Sequence, residues 1–222
     1  LHALISLRRN GVKLCMATGR GYLSAPRFPG IDFDALLTFN GSYVTVGDEI
    51  IFKCPLDRMD KLQILQNLKD MHRALAISNE HFIITNGTDP DLEQYFRFGN
   101  EMLKIDKRFD ERVHEDIYQM MCSCREEEYE RILAGTHHTQ ITAWWDRAAD
   151  INVGRETLCA RYFSILALRR KKPSLLEMAS MISRCWKQSA PVWPWGMRRM
   201  RSKPTPPAHA DRWKKTESTI FA

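Results

Sequence analysis

Near its start the chain reads LHALISLRRNG and then VKLCMATGR. Leu1, Leu4 and Ile5 share one face of a helix, and Gly11 ends it. Val12 to Ala17 is then a short apolar run that closes on a polar turn. A helix, a glycine, a buried strand and a polar loop in this order are the rhythm of an α/β sheet. This rhythm constrains the rest of the chain, because a strand buried on both faces needs neighbours on both sides.

Those neighbours are expected from DALLTFNGSYV, where Ala35 to Phe39 is a second buried run and Asn40-Gly41 a tight-turn signal. EIIFKCP is the returning strand, stopped by Pro55. The texture then changes. LDRMDKLQILQNLKDMH is an amphipathic helix, with Leu62, Leu65, Leu68 and Met71 at helical spacing. ALAIS and HFIITNG read as strands, and DPDLEQYFRFG as a helix opened by Asp-Pro. IYQMMCSC is a strand, REEEYERILAG a helix ending at Gly135, and HTQITAWW a further strand. This is a small α+β unit inserted into an α/β core. The expected division is core over 1–54, insert over 55–145, return to the core over 146–152, and a separate tail over 153–222.

The combination of ATGR after a buried strand, FNG at the following strand end, IIFKCPL and an α+β insert resembles the Cof-type branch of the haloacid dehalogenase (HAD) superfamily of phosphatases, over about residues 1–152. The resemblance implies an α/β fold: a partial Rossmann-like HAD core with an inserted α+β cap. It implies an aspartate nucleophile, a second aspartate as general acid/base, a bridging Mg²⁺ and a charge-neutralising lysine. Phosphoryl transfer is mostly positioning and charge compensation, which is why these groups are needed. The cap closes over the site and chooses the substrate. Carried onto this chain, Thr18 is the phosphoryl-binding hydroxyl, with the backbone amides of Gly19 and Arg20 beside it. Asn40 and Gly41 lie at the next strand end, near the cap hinge. The family's DxDGT belongs on a strand before the first helix, where this chain has no residues. Asp32, Asp34 and Asp150 stand in the wrong context to replace it. The resemblance therefore implies an N-terminally truncated chain without catalytic aspartates, without bound Mg²⁺ and without phosphatase activity of its own.

The tail departs from the family. Residues 151–222 hold 15 Lys+Arg against 4 Asp+Glu, whereas residues 1–150 hold 18 against 23. A basic tail with Trp193, Trp195, Arg198, Arg199, Arg201 and Lys203 fits single-stranded nucleic acid. A reading-frame shift accounts for the same composition without a binding role. If each residue is read from the third base of one codon and the first two of the next, Met178–Ala179 forces Gly. In the same way Met181–Ile182 forces Asp, Trp186–Lys187 Glu, Trp193–Pro194 Ala and Trp195–Gly196 Gly. With permitted choices elsewhere, Leu175 to Trp186 becomes FGDGxNDIEML, and the stretch from Ala190 becomes GTGVAMGNA. These are the family's metal-binding and later motifs, in order. The shift falls between about Ile151 and Gly154, which leaves residues from about 153 out of frame and non-native or disordered. Nucleic acid is then not an expected partner, and the reading expected for the parent protein is a phosphohydrolase of small phosphorylated metabolites such as sugar phosphates or phosphorylated cofactors. The competing reading is a non-catalytic α/β module with a functional basic tail.

Other features read as structural. The six cysteines have neither disulfide nor zinc spacing, Cys122 and Cys124 share one strand face, and His137-His138 lacks a third ligand. Trp144 and Trp145 are expected on opposite faces of their strand. No apolar run is long enough to span a bilayer, and LHALISLRRN lacks the features of a signal peptide. The expected location is cytoplasmic, with no membrane partner.

Overall fold

The computed structural model describes residues 1–155, 157, 158 and 161, together with the backbone of residues 218–221. Most of the tail, including its aromatic-basic stretch and the segment that re-reads as a metal motif, lies outside the described residues. The first helix, α1, runs His2–Arg9 and buries none of its residues. Gly11 ends it with φ of +79°, a left-handed value that a side chain would oppose.

Strand β1, Cys15–Thr18, pairs parallel with β2, Ala35–Thr38, in the register Cys15↔Ala35 to Ala17↔Leu37. Asp34 sets that register. Its amide donates to the Leu14 carbonyl at 2.7 Å, its carboxylate accepts from the Leu14 amide at 2.9 Å, and Lys13 Nζ reaches it at 3.0 Å. The chain then turns back through β3, Tyr43–Val46, and β4, Glu49–Lys53, as an antiparallel meander.

The insert folds around helix α2, Arg58–Asp70, whose N-terminus is capped by the Asp57 carboxylate. Strands β5, Leu75–Ser78, and β6, Ile83–Thr85, form a pair. Helix α3, Pro90–Phe98, is capped by Asp89 with Pro90 in its first turn, as Asp-Pro predicts. A short helix α4, Phe109–Arg112, precedes β7, Gln119–Ser123. REEEYERILAG divides into a 3₁₀ turn over Glu126–Glu128 and the one-turn helix α5, Tyr129–Ile132. Strand β8 is Thr139–Trp145 and β9 is Ala148–Val153. The fully antiparallel sheet has the order β6-β5-β7-β9-β8. In the first sheet the backbone of a last strand, β10, Ser218–Phe221, pairs antiparallel with β1, giving the order β10-β1-β2-β3-β4.

Two expectations change. Residues 146–152 do not return to the first sheet. Ala148–Val153 lies between β7 and β8 in the insert's sheet, because Asp146-Arg147 closes a hairpin directly after β8. All six β9 residues are buried, the profile of a central strand in either sheet, so apolarity alone could not assign it. Trp144 and Trp145 do not divide cleanly between two faces. A register shift between Thr142 and Trp145 breaks the alternation, and both indoles meet Phe98, at 5.8 and 5.1 Å between centroids.

One apolar cluster runs through both sheets. It joins Leu37, Val44 and Phe52 of the first to Leu68, Leu75, Ile77, Met120 and Ile151 of the insert. Asp60 crosses the insert as a polar strut: its buried carboxylate accepts from the backbone amides of both His137 and His138. These histidines therefore serve through their backbone. Cys122 and Cys124 are buried as packing residues.

The Asp34 clamp carries a pH signature. Burial pushes its carboxyl up, but the Leu14 amide and the Lys13 ammonium outweigh that, so it lies below the ordinary aspartate value of 3.8. A depressed folded pKa contributes stability that is full above the unfolded value and is lost as pH falls through the folded one. Urea unfolding between pH 6 and pH 2 is therefore expected to show an acid-side loss that Asp34→Asn flattens.

Candidate functional site

The sequence-predicted site residues come from two loops at the C-terminal end of β1 and β2. Thr18 ends β1 and is 7% exposed. Its Oγ1 accepts from the Arg20 amide at 3.1 Å, a local turn typical of threonine. That bond fixes the hydroxyl, leaves its proton to donate outward, and engages the Arg20 amide. Of the two amides expected to face a phosphoryl group, Arg20's is thus turned onto Thr18.

The second loop is a 3₁₀ turn over Phe39–Gly41, with φ of 51° at Phe39, 56° at Asn40 and 89° at Gly41. Left-handed φ at a bulky residue such as Phe39 is a strained state that the surroundings must hold. The Phe39 amide donates to the Arg20 carbonyl at 2.9 Å, which ties the two loops together. They approach so closely that side chains are excluded. A Cβ at Gly19 would lie 2.9 Å from Asn40 Oδ1, and one at Gly21 would lie 2.9 Å from the Phe39 ring. Thr18, Gly19, Arg20, Asn40 and Gly41 are therefore brought into one small region.

The insert covers this region. Gln119 Nε2 donates to the Gly19 carbonyl at 3.4 Å, and the space above Gly21 meets Ser78 Oγ at 3.3 Å. Tyr118 is fully buried against Phe39 and Tyr43, with ring centroids 5.3 Å away in both cases. Beside the loops a cleft of about 290 Å³ opens between Leu23 and Ser24 on one side and Ile83, Glu101 and Met102 on the other. Burial pushes the Glu101 carboxyl up, against the opposing pull of Arg20 and Ser24. No local pattern singles out Phe39, Gly21, Ser78, Gln119 or Glu101. Only the spacing of Gly19 and Gly21 was a local signal. The others depend on strand register.

The remaining polar candidates are committed elsewhere. Asp34 clamps the opposite end of β1, at Leu14. Asp150 accepts from the Tyr95 hydroxyl inside the insert. The buried Lys61 donates to the Glu115 carbonyl, and burial lowers its pKa. Mg²⁺ binds hard oxygen donors, chiefly carboxylates and water, and among the described residues no three His, Cys, Asp or Glu side chains gather to hold a cation. The described residues do not fit that ion.

A family described as haloacid dehalogenase-like hydrolase matches residues 1–153. No curated protein matches the chain. Among solved structures, a member of a phosphoryl-transfer superfamily studied for a trigonal-bipyramidal intermediate superposes with TM-score 0.62 at 21% identity, over 71% of this chain and 62% of that one. A sugar phosphatase of HAD subclass IIB gives TM-score 0.62 at 21% identity, over 77% and 68%. A haloalkanoate-superfamily phosphatase from Bacteroides thetaiotaomicron gives 0.62 at 19%, over 75% and 62%. At these identities the likeness is one of fold, and the chain spans about 62% of the first structure's length.

The loop clasp predicts a sharp difference between glycines. Gly21→Ala places a methyl against Phe39 and is expected to lower stability by about 1–3 kcal/mol, the usual cost of overpacking. Gly87→Ala meets only Ala74 Cβ at 3.7 Å and is expected to be neutral or slightly stabilising. Thermal unfolding of the two variants side by side checks this.

Proposed function

The chain belongs to the haloacid dehalogenase-like hydrolases, and from that membership we propose that it carries the phosphoryl-binding loop and the cap of a Mg²⁺-dependent phosphohydrolase of small phosphorylated metabolites, sugar phosphates or phosphorylated cofactors among them. The observation that carries this reading is the buried Thr18 hydroxyl, fixed by the Arg20 amide in a loop clasped against Phe39–Gly41 and covered by the insert. In this role Thr18 donates its proton to a phosphoryl oxygen, and Gly19 lets the backbone approach the group closely. The insert excludes water and selects the organic part of the substrate. The aspartyl-phosphate chemistry requires an aspartate nucleophile, a role that neither Asp34, engaged at Leu14, nor Asp150, engaged with Tyr95, fills. A cytoplasmic setting agrees with the four free, buried cysteines Cys15, Cys54, Cys122 and Cys124. No helix among the described residues is long and apolar enough to cross a membrane.

The reading-frame shift is part of the proposal. It agrees with the family match, which ends at residue 153, within the expected junction at 151–154. The basic tail is then a by-product of frame, and the parent protein continues into a metal-binding segment in the other frame.

Two measurements test these statements. Calorimetric titration of the 222-residue polypeptide with inorganic phosphate is expected to show binding that Thr18→Ala weakens by about 10- to 100-fold, the worth of one hydrogen bond to a charged group. Thr18→Ser is expected to retain it. If Thr18→Ala binds as well as the parent, Thr18 is not a phosphoryl ligand. The same polypeptide is expected not to turn over p-nitrophenyl phosphate with Mg²⁺, whereas a version whose coding sequence has the frame restored at 151–154 and a DxDGT-bearing strand supplied ahead of Leu1 is expected to do so. Turnover by the unaltered polypeptide would overturn the inactivity and frame readings.

A further inference from the structure

Helix α3 ends in a way that aims one side chain at the core. The Asn100 amide donates to the Arg97 carbonyl at 3.0 Å and the Glu101 amide to the Phe96 carbonyl at 2.9 Å, with Asn100 at a left-handed φ of 60°. These bonds close the helix and fix the Glu101 backbone. Met102 beside it is 91% exposed. Across the cleft of about 290 Å³ stand Leu23 and Ser24, from the loop that follows β1. At Tyr118 the insert meets the core by ring packing. Here open space separates the two, and Glu101 crosses it to hydrogen-bond with the Ser24 hydroxyl.

A serine hydroxyl has one proton to donate and two lone pairs to accept with. The Ser24 hydroxyl donates to the Gly21 carbonyl at 3.3 Å. With its proton placed there it can only accept from Glu101, which requires a protonated carboxyl. The chain from Glu101 through Ser24 to the Gly21 carbonyl is then satisfied at every step. A charged carboxylate must draw the serine proton to itself, and the bond to Gly21 is given up. Burial in the cleft acts in the same direction. It raises the Glu101 carboxyl above the ordinary value of 4.5, against the pull of the Arg20 guanidinium and of Ser24. Arg20 on the core loop and Tyr95 on α3 are the charged and titratable groups that face it, and Tyr95 stays neutral with its hydroxyl on Asp150.

We propose that Glu101 is a proton-operated latch between the insert and the core loop at Arg20–Ser24: protonated, it closes the insert onto the loop through Ser24, and charged, it lets the cleft open. The proton is a ligand that binds one of two states better and so shifts the population toward it. A carboxyl raised by closure holds its proton more tightly in the closed form. Closure is therefore strongest below the open-form value and weakens as pH rises through the closed-form one. The ring contacts of Tyr118 with Phe39 and Tyr43 involve no charge change in this range, so that end of the junction stays in place while the Glu101 end moves. The latch does not depend on the reading of Thr18 as a phosphoryl ligand.

The test is hydrogen–deuterium exchange of the 222-residue chain, read by mass spectrometry between pH 4 and pH 8, with rates corrected for the intrinsic effect of pH. The Ser24 and Ala25 amides both donate to the Gly21 carbonyl, so they report on this loop. Their protection is expected to fall severalfold as pH rises, while Gln119–Ser123 of β7 keeps its own. Glu101→Gln, whose amide donates to Ser24 without titrating, is expected to hold the low-pH protection across the whole range. Glu101→Ala is expected to be equally flat and less protected. A parent whose loop protection does not fall with pH overturns the latch, and so does a slope that survives in either variant. A matching loss of protection in β7 overturns it too, because the event is then global unfolding. Phosphate is absent throughout, so this outcome and that of the Thr18 titrations are separate.

Discussion

The hydrogen bond from the Phe39 amide to the Arg20 carbonyl is the constraint on which the site depends. At this point Phe39, Asn40 and Gly41 all take left-handed backbone. For the two residues with a Cβ that conformation costs on the order of 1–3 kcal/mol each. The return comes from packing. Phe39 is fully buried between Tyr43 of the first sheet and Tyr118 of the insert, and aromatic contacts of this kind contribute roughly 0.5–1.5 kcal/mol each beyond burial. Gly19 and Gly21 make the approach sterically possible. The Thr18 loop is thus held in shape by a residue from each sheet, and the insert is part of its scaffold as well as its cover.

That dependence explains what the sequence could and could not reveal. Strands β1 and β2, the Asp-Pro start of α3 and the stripe of α2 follow from local pattern, and all are present. Thr18, Gly19, Arg20, Asn40 and Gly41 were legible as two short motifs, and the structure places them in one region. Asn40-Gly41 signals a turn, but nothing local tells that Phe39 joins it in left-handed backbone. Its ring packs against Tyr118, some eighty residues along, a contact that only the folded chain creates. The placement of β9 was missed for a related reason. AADINV is buried on both faces in either sheet, and only its pairing with β7 and β8 decides. The Trp144-Trp145 pair departs from period-2 alternation because a register shift is invisible to that counting.

Ser78, Gln119, Asn152 and Gln140, which cross-strand pairing lines up in one row of the insert's sheet, are the extreme case. Each residue sits in a different segment, and each looks ordinary within it: a strand end, a strand start, a polar residue in an apolar run. Register alone makes them neighbours. An antiparallel sheet with one face on an apolar core is free to vary the other, because the ladder bonds do not depend on side-chain chemistry. The insert uses that freedom. Ile77, Met120 and Ile151 anchor it to the common core, and one step along their strands Gln119 reaches the Gly19 carbonyl and Ser78 the space above Gly21.

The same separation between ladder and side chain bears on β1. Its far edge pairs antiparallel with the backbone of β10, whereas β2 pairs with it in parallel. Main-chain hydrogen bonds satisfy that edge whatever the direction or sequence of the neighbour, since an unpaired strand edge accepts any extended segment. Occupancy of the edge therefore stabilises the sheet without determining chemistry. Chemistry beside Thr18 depends on which side chains the neighbouring strand delivers at the C-terminal end of β1, and β10 pairs Ser218 there. The loop clasp does not share this dependence: it joins the loops after β1 and β2 and is covered by the insert, so it stays in place whatever strand lies on the far side of β1.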